Sequence, residues 1–316
     1  MRPLGVTGHG KTPWRPSFRV TFGESGAEAA TDAAAAGAAQ ALIALWQRTD
    51  PLHRDLFLEG ASYALGPSRP LWVDQLLEVQ PEEPLGWLLR GTHQTRIALA
   101  CRGELTDDVA VEQYRRLLLA AEDNFQRAAE LDQADHSPWS QLLVSGRALG
   151  IRRDELLRRF ERASPTGSWL PYPHHQYLLS LSERSGGAPG DAPGFAQLVA
   201  SVAPIDAPVH DLVVVAALEE AWMRRRRGRR ISTTLAGVGE EISAAARRSV
   251  ERRNFNDDGF GILARNVCAL ALGLIGEKER ARRQIHRIGD RVTPYPWQFL
   301  GEPGDQFARF ARRIGA

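Results

Sequence analysis

The sequence is poor in lysine, cysteine and methionine. Of 40 basic residues only Lys11 and Lys278 are lysines, and the rest are arginine. With heavy use of alanine, glycine and proline, this bias matches the coding habit of a GC-rich bacterial genome and carries little information about arginine chemistry. Cys101 and Cys268, the two cysteines, lie far apart in apolar, helical-looking stretches. That argues against a disulfide framework and fits a reducing cytoplasm. The net charge of +2 gives no general attraction to nucleic acid or to an anionic membrane. A long apolar run is also missing. The alanine-rich stretch 27–45 has the length of a membrane span, but Glu28 and Asp32 interrupt it and alanine is only marginally hydrophobic. The N-terminal segment has no apolar core of the signal-peptide kind. A cytoplasmic protein with no membrane association is expected.

What is present is helix. Hydrophobic residues make up 43% of the 316-residue chain and charged ones 25%, enough for a sizeable core. Residues 1–26 are rich in Gly and Pro and read as an extended or disordered lead, with a short strand at Phe18–Phe22. From Ala27 to residue 316 nearly every segment reads as helix, with 185–194, rich in Gly and Pro, as the place for a sub-boundary. Asp50-Pro51 and Ser137-Pro138 pair an N-cap with proline at the first helical position. Thr106-Asp107-Asp108 opens another helix with acidic first-turn residues, and Asp257 or Asp258 caps one more. Gly103, Gly150 and Gly276 follow apolar runs, as C-terminal caps do.

The strongest signal is a repeat. Ala121, Phe125 and Ala128 are followed 35 residues on by Leu156, Phe160 and Ala163. A tetratricopeptide unit is about 34 residues, with a small residue, an aromatic and a small residue on its second helix. Small residues let the two helices approach, and the ring fills the groove between hairpins. Trp87 and Trp139 mark the preceding first helices, and Arg102–Val111 lengthens the first unit. A third match runs from Leu270 through Gly273, Gly276, Ala281, Ile285 and Ile288 to Pro294. The expected fold is all-α, a tetratricopeptide-like solenoid of helix hairpins behind an extended N-terminal lead.

Residues from about Trp72 to Ser185 carry Trp87-Leu-Leu-Arg90-Gly91, Cys101-Arg-Gly103, Pro138-Trp139, Ser145-Gly146-Arg147 and the block 153–165. This stretch, a little over a third of the chain, resembles a group of uncharacterised actinobacterial helical-repeat proteins of unknown function. The resemblance implies a helical-repeat fold and a bacterial origin, and no activity. A Trp-Gly-Gly-Ser-His-Glu-like segment of that group has only Ser185-Gly186-Gly187 in its place here.

Several motifs suggest chemistry and then lack its context. Gly5, Gly10, Lys11 and Thr12 match the phosphate-binding P-loop expression. Too few residues precede Gly5 for a strand, and Pro13 and Pro16 stop the helix the loop would feed. Arg224–Arg230 could grip phosphates, but Glu219 and Glu220 lie beside it, no aromatics interleave, and a solvated helix end accounts for it. Nucleic acid is therefore not the expected partner. In Pro171–Tyr177, His174 and His175 are neighbours with no third ligand at helical spacing, so they read as surface histidines at a helix start and no metal is assigned. The segment from Asn254 has the composition of a calcium loop but places Arg265 where the bidentate glutamate belongs. No serine, cysteine or zinc-protease signature is present. No cofactor is expected and no catalytic role is assigned.

The sequence thus points to a scaffold or adaptor that binds a protein or peptide, one of acidic character, on the concave face of a solenoid. First-helix positions facing that groove would be Thr92, Arg96, Arg147, His174 and Asn266, with the two arginines forking carboxylates. The alternative is a small-molecule binder or enzyme with its pocket between the repeat halves.

Overall fold

A computed structural model describes residues 21–102 and 107–316. Among them are seventeen α-helices and no β-strand. The P-loop match, most of the expected strand at Phe18–Phe22, Gly103 and Thr106 lie outside the described residues.

The alanine-rich stretch is two helices, not one: α1 (Ser25–Ala35) and α2 (Ala39–Trp46). Gly37 separates them with φ of 66°, a left-handed turn that costs glycine nothing. No helix among the described residues is long and apolar enough to cross a membrane. Next come α3 (Arg54–Ala64) and α4 (Leu71–Val79). The pair α5 (Pro84–Cys101) and α6 (Asp108–Leu131) is long, as the extra residues of the first unit require. Shorter pairs are α7 (Ser137–Leu149) with α8 (Arg153–Ala163), and α9 (Pro171–Leu181) with α10 (Asp191–Val202). Then follow α11 (Leu212–Arg226), α12 (Ile231–Ala236) and α13 (Gly239–Arg248). The chain closes with α14 (Phe260–Leu274), α15 (Lys278–Ile288), α16 (Pro294–Trp297) and α17 (Pro303–Ile314).

Local chemistry sets many of these boundaries. Asp107 caps α6 by accepting from the Ala110 amide at 2.8 Å. Asp50 accepts from the Leu52 amide at 2.8 Å, but it shapes a turn, and α3 begins only at Arg54. For α7 the carboxylate of Asp135, not Ser137, takes the first amide, that of Ser137 itself at 3.0 Å. Gly150 ends α7 with φ of 67°. Ahead of α14 the N-cap position is Gly259, while Asp258 accepts from the Gly259 amide and Asp257 pairs with Arg265.

The helices touch in series. α3, α5, α7, α9, α11, α14 and α16 each contact the next, and α6, α8, α10 and α13 each pack on the helix that follows them. The repeat residues meet this frame unequally. Phe125 is fully buried, and a Cβ on Gly91 would stand 2.5 Å from its ring, so glycine lets α5 and α6 close up around it. Phe160 is only half-buried. It stacks on Tyr177, with Phe195 edge-on, and so faces the following pair. In α7 the close approach is at Gly146, which meets Arg159 and Ile151, so a guanidinium occupies it in place of a ring.

The early and late helices also meet. Tyr172 of α9 donates to Glu59 of α3 at 2.7 Å, and a Cβ on Gly23 would stand 3.3 Å from the Arg291 side chain. The Phe22 and Phe260 rings are 6.0 Å apart edge-to-face. Ala27 and Leu56 consequently share one core with α7 to α17.

Candidate functional site

Of the residues expected to face a groove, Thr92, His174 and Asn266 are buried and Arg96 and Arg147 half-buried. Thr92 is 3% exposed and donates to the Leu88 carbonyl one turn back. His174, also 3% exposed, has Nδ1 2.7 Å from the Leu170 carbonyl and its ring among Phe160, Trp169 and Phe195. Asn266 is wholly buried. It donates to the Ile262 and Arg291 carbonyls and accepts from the Trp297 indole at 2.8 Å. Arg96 donates to the Ser62 and Gly66 carbonyls, and Arg147 to Gln176 Oε1 at 3.0 Å. The expected surface histidines are likewise interior, with His175 Nε2 3.1 Å from Asp211 Oδ2. The physical reason is that neighbouring elements cover the faces the repeat period leaves open: rings of α8 and α10 over His174, and the segment 291–297 over Asn266.

Those faces form a polar interior. Gln141 donates to Asp55 at 3.2 Å, beside the Tyr172–Glu59 hydrogen bond. Burial pushes the Asp55 carboxyl well above the usual range and raises Glu59 as well; donation by Gln141 and Tyr172 offsets part of this. Arg184 reaches the buried Glu219 at 3.2 Å. Burial, then the neighbouring Arg184 charge, lowers the pKa of Arg147. Burial also raises the Cys268 thiol, which makes it a poor nucleophile.

The open site lies at one end of this interior. A cavity of about 370 Å³ is bounded by Leu52 and His53 before α3, Pro171 at the start of α9, and 206–208 before α11. Its remaining wall runs from Arg248 at the end of α13 through the loop 254–258 to Phe260, Gly261 and Ala264 of α14. Two glycines hold that wall in place. A Cβ on Gly261 would overlap the Asn256 carbonyl, and one on Gly259 would lie 2.8 Å from Leu56. Gly259 also has φ of 49°. Phe260 is the partition between cavity and polar interior, since its ring lies 5.9 Å from that of Tyr172 and 6.2 Å from that of His175. The lining combines Phe255, Phe260, Pro171 and Pro208 with Arg248, Arg252, His53 and Asn254, a mixture of apolar walls and few polar groups suited to a small organic molecule.

None of these pocket residues was singled out as a binding residue by sequence. The loop from Asn254 drew attention only as a failed calcium loop, yet its Asn, Phe and Gly residues build the wall. Among the described residues no cluster of His, Cys, Asp or Glu could hold a metal ion. The basic segment does end one helix and turn to the next: Arg224 pairs with Glu220, Arg227 with Glu183, and Arg225 donates to the Phe299 carbonyl. No known protein family matches the sequence, and no curated protein resembles it significantly.

Proposed function

We propose that this chain is a cytoplasmic, tetratricopeptide-like repeat protein of the actinobacterial group its middle part resembles, and that it binds a small organic molecule. The ligand sits in the cavity between the segments ahead of α3 and α11, the start of α9, the end of α13, and α14. Serial contact of alternate helices, and the close approach of Phe125 to Gly91, support the repeat reading. One observation carries the functional reading: four separated stretches of chain converge on a cavity of about 370 Å³, inside the range of about 300–1,000 Å³ typical of ligand sites.

Peptide binding on the inner face, which the sequence alone favours, draws less support. Thr92, His174 and Asn266 spend their polar groups on internal hydrogen bonds, and Arg96 and Arg147 are already bonded within the fold. An acidic peptide would have to break those contacts first.

A fragment screen read by protein NMR tests the proposal. Hits should move resonances of 52–53 and 248–264 together and should be lost in Ala264→Leu, which fills the cavity floor. Hits scattered elsewhere would sink the pocket reading. Capture of an acidic peptide that depends on Arg96 and Arg147 would restore the groove.

A further inference from the structure

Many arginines of this protein end on carboxylates: Arg159 on Glu122, Arg153 on Asp191, Arg280 on Glu251, Arg265 on Asp257. Arg248 and Arg252 are held differently. Each gives one guanidinium nitrogen to a main-chain carbonyl, Arg248 to Ala200 at 2.9 Å and Arg252 to Ile205 at 3.0 Å. Neither has a carboxylate partner among the described residues. Carbonyl anchoring orients the forks without neutralising them, and each keeps further N–H donors. Both arginines line the cavity.

Two carboxylates also line the cavity, and neither is paired with these arginines: Asp258 accepts from the Gly259 amide at 3.0 Å in the turn ahead of α14, and Asp206 is exposed. Phe255 and Phe260 supply ring surface to the same cavity. A cavity with two un-neutralised forks and aromatic walls matches a ligand with an oxyanion at one end and an apolar ring at the other.

Resting on the pocket reading above, we infer that the ligand is a compact ring-bearing organic anion, its carboxylate or phosphate group bound between Arg248 and Arg252 and its ring against Phe255 and Phe260. Guanidinium suits this role because it stays charged when partly desolvated and meets oxyanions through paired N–H groups.

The full chain is titrated calorimetrically with phenyl phosphate, benzoate and benzyl alcohol, three probes that share a ring and differ in charge. At least one anion should bind about tenfold or more tightly than the alcohol, and the better of the two identifies the head group. Arg248→Gln and Arg252→Gln should each weaken the anion by about tenfold or more while leaving benzyl alcohol binding unchanged, which shows that the cavity is intact. Equal binding of all three probes, indifferent to both substitutions, would overturn the anion inference and leave the pocket reading standing. If no probe binds and the arginine Nε–H resonances do not move, both fall.

Discussion

The guanidinium of Arg159 meets both carboxylate oxygens of Glu122 end-on, Nη1 to Oε1 at 2.7 Å and Nη2 to Oε2 at 3.1 Å. Ser145 donates to the same carboxylate at 2.8 Å, and Arg159 also donates to the Leu142 carbonyl. The pair ties α6, α7 and α8 together at the point where Gly146 lets them close. Both side chains are nearly inaccessible, at 6% and 8% exposure, so removal of Arg159 strands the Glu122 carboxylate, and removal of the Glu122 charge leaves Arg159 only the half-exposed Glu155. Glu122→Gln or Arg159→Met alone should destabilise by about 3–5 kcal/mol in chemical denaturation, and the double change to Leu and Met by less. Equal losses in single and double variants would contradict the pairing.

Phe125 and Phe160 occupy matching sequence positions and unequal environments. Phe125→Ala removes a fully buried ring and should cost about 3–5 kcal/mol. Phe160→Ala should cost roughly half as much, because its ring is half-buried and its stacking on Tyr177 accounts for about 1 kcal/mol. Urea midpoints of the two variants, measured side by side, give the comparison. Equal losses would mean equivalent sites.

Asn266 links α14 to the segment before α16 through the Arg291 carbonyl, the Thr293 amide and the Trp297 indole. Asn266→Ala leaves buried donors and acceptors unmatched and should cost roughly 2–3 kcal/mol. Tryptophan fluorescence should report a loosened Trp297 environment. A variant of native stability that instead loses ligand affinity would return Asn266 to the binding surface.

Burial holds the His174 imidazole down to about 4 against its usual 6.5, in spite of the hydrogen bond that its Nδ1–H donates to the Leu170 carbonyl. Above pH 6.5 the ring is neutral in both folded and unfolded chains. As pH falls toward about 4 the unfolded chain takes up a proton that the folded chain refuses, so stability is lost, by roughly 3 kcal/mol in full. Asp55 and Glu59 act in the opposite sense, since their raised carboxyls retain protons that the unfolded chain has released. The His174 contribution is isolated by unfolding wild type and His174→Gln at pH 7 and pH 4.5. The variant should lose less stability between the two. Parallel losses would place the ring in solvent.

The all-helical class was legible along the chain because apolar periodicity, proline at first helical positions and glycine after apolar runs act within a turn or two. Asp107 and Gly150 cap their helices as local rules require, and Phe125 with Gly91 obeys the steric logic of the repeat. The placement of Thr92, His174 and Asn266 was decided by tertiary structure. A helical period fixes which residues share a face, and it cannot say what covers that face. Here rings of α8 and α10 cover His174, and the segment 291–297 covers Asn266, so side chains that would line a groove are buried under neighbouring elements that the period does not reveal. The cavity has the same origin. Leu52, Pro171, Arg248 and Phe260 carry no joint signal in sequence, because only the long-range packing of four helix termini brings them around one space.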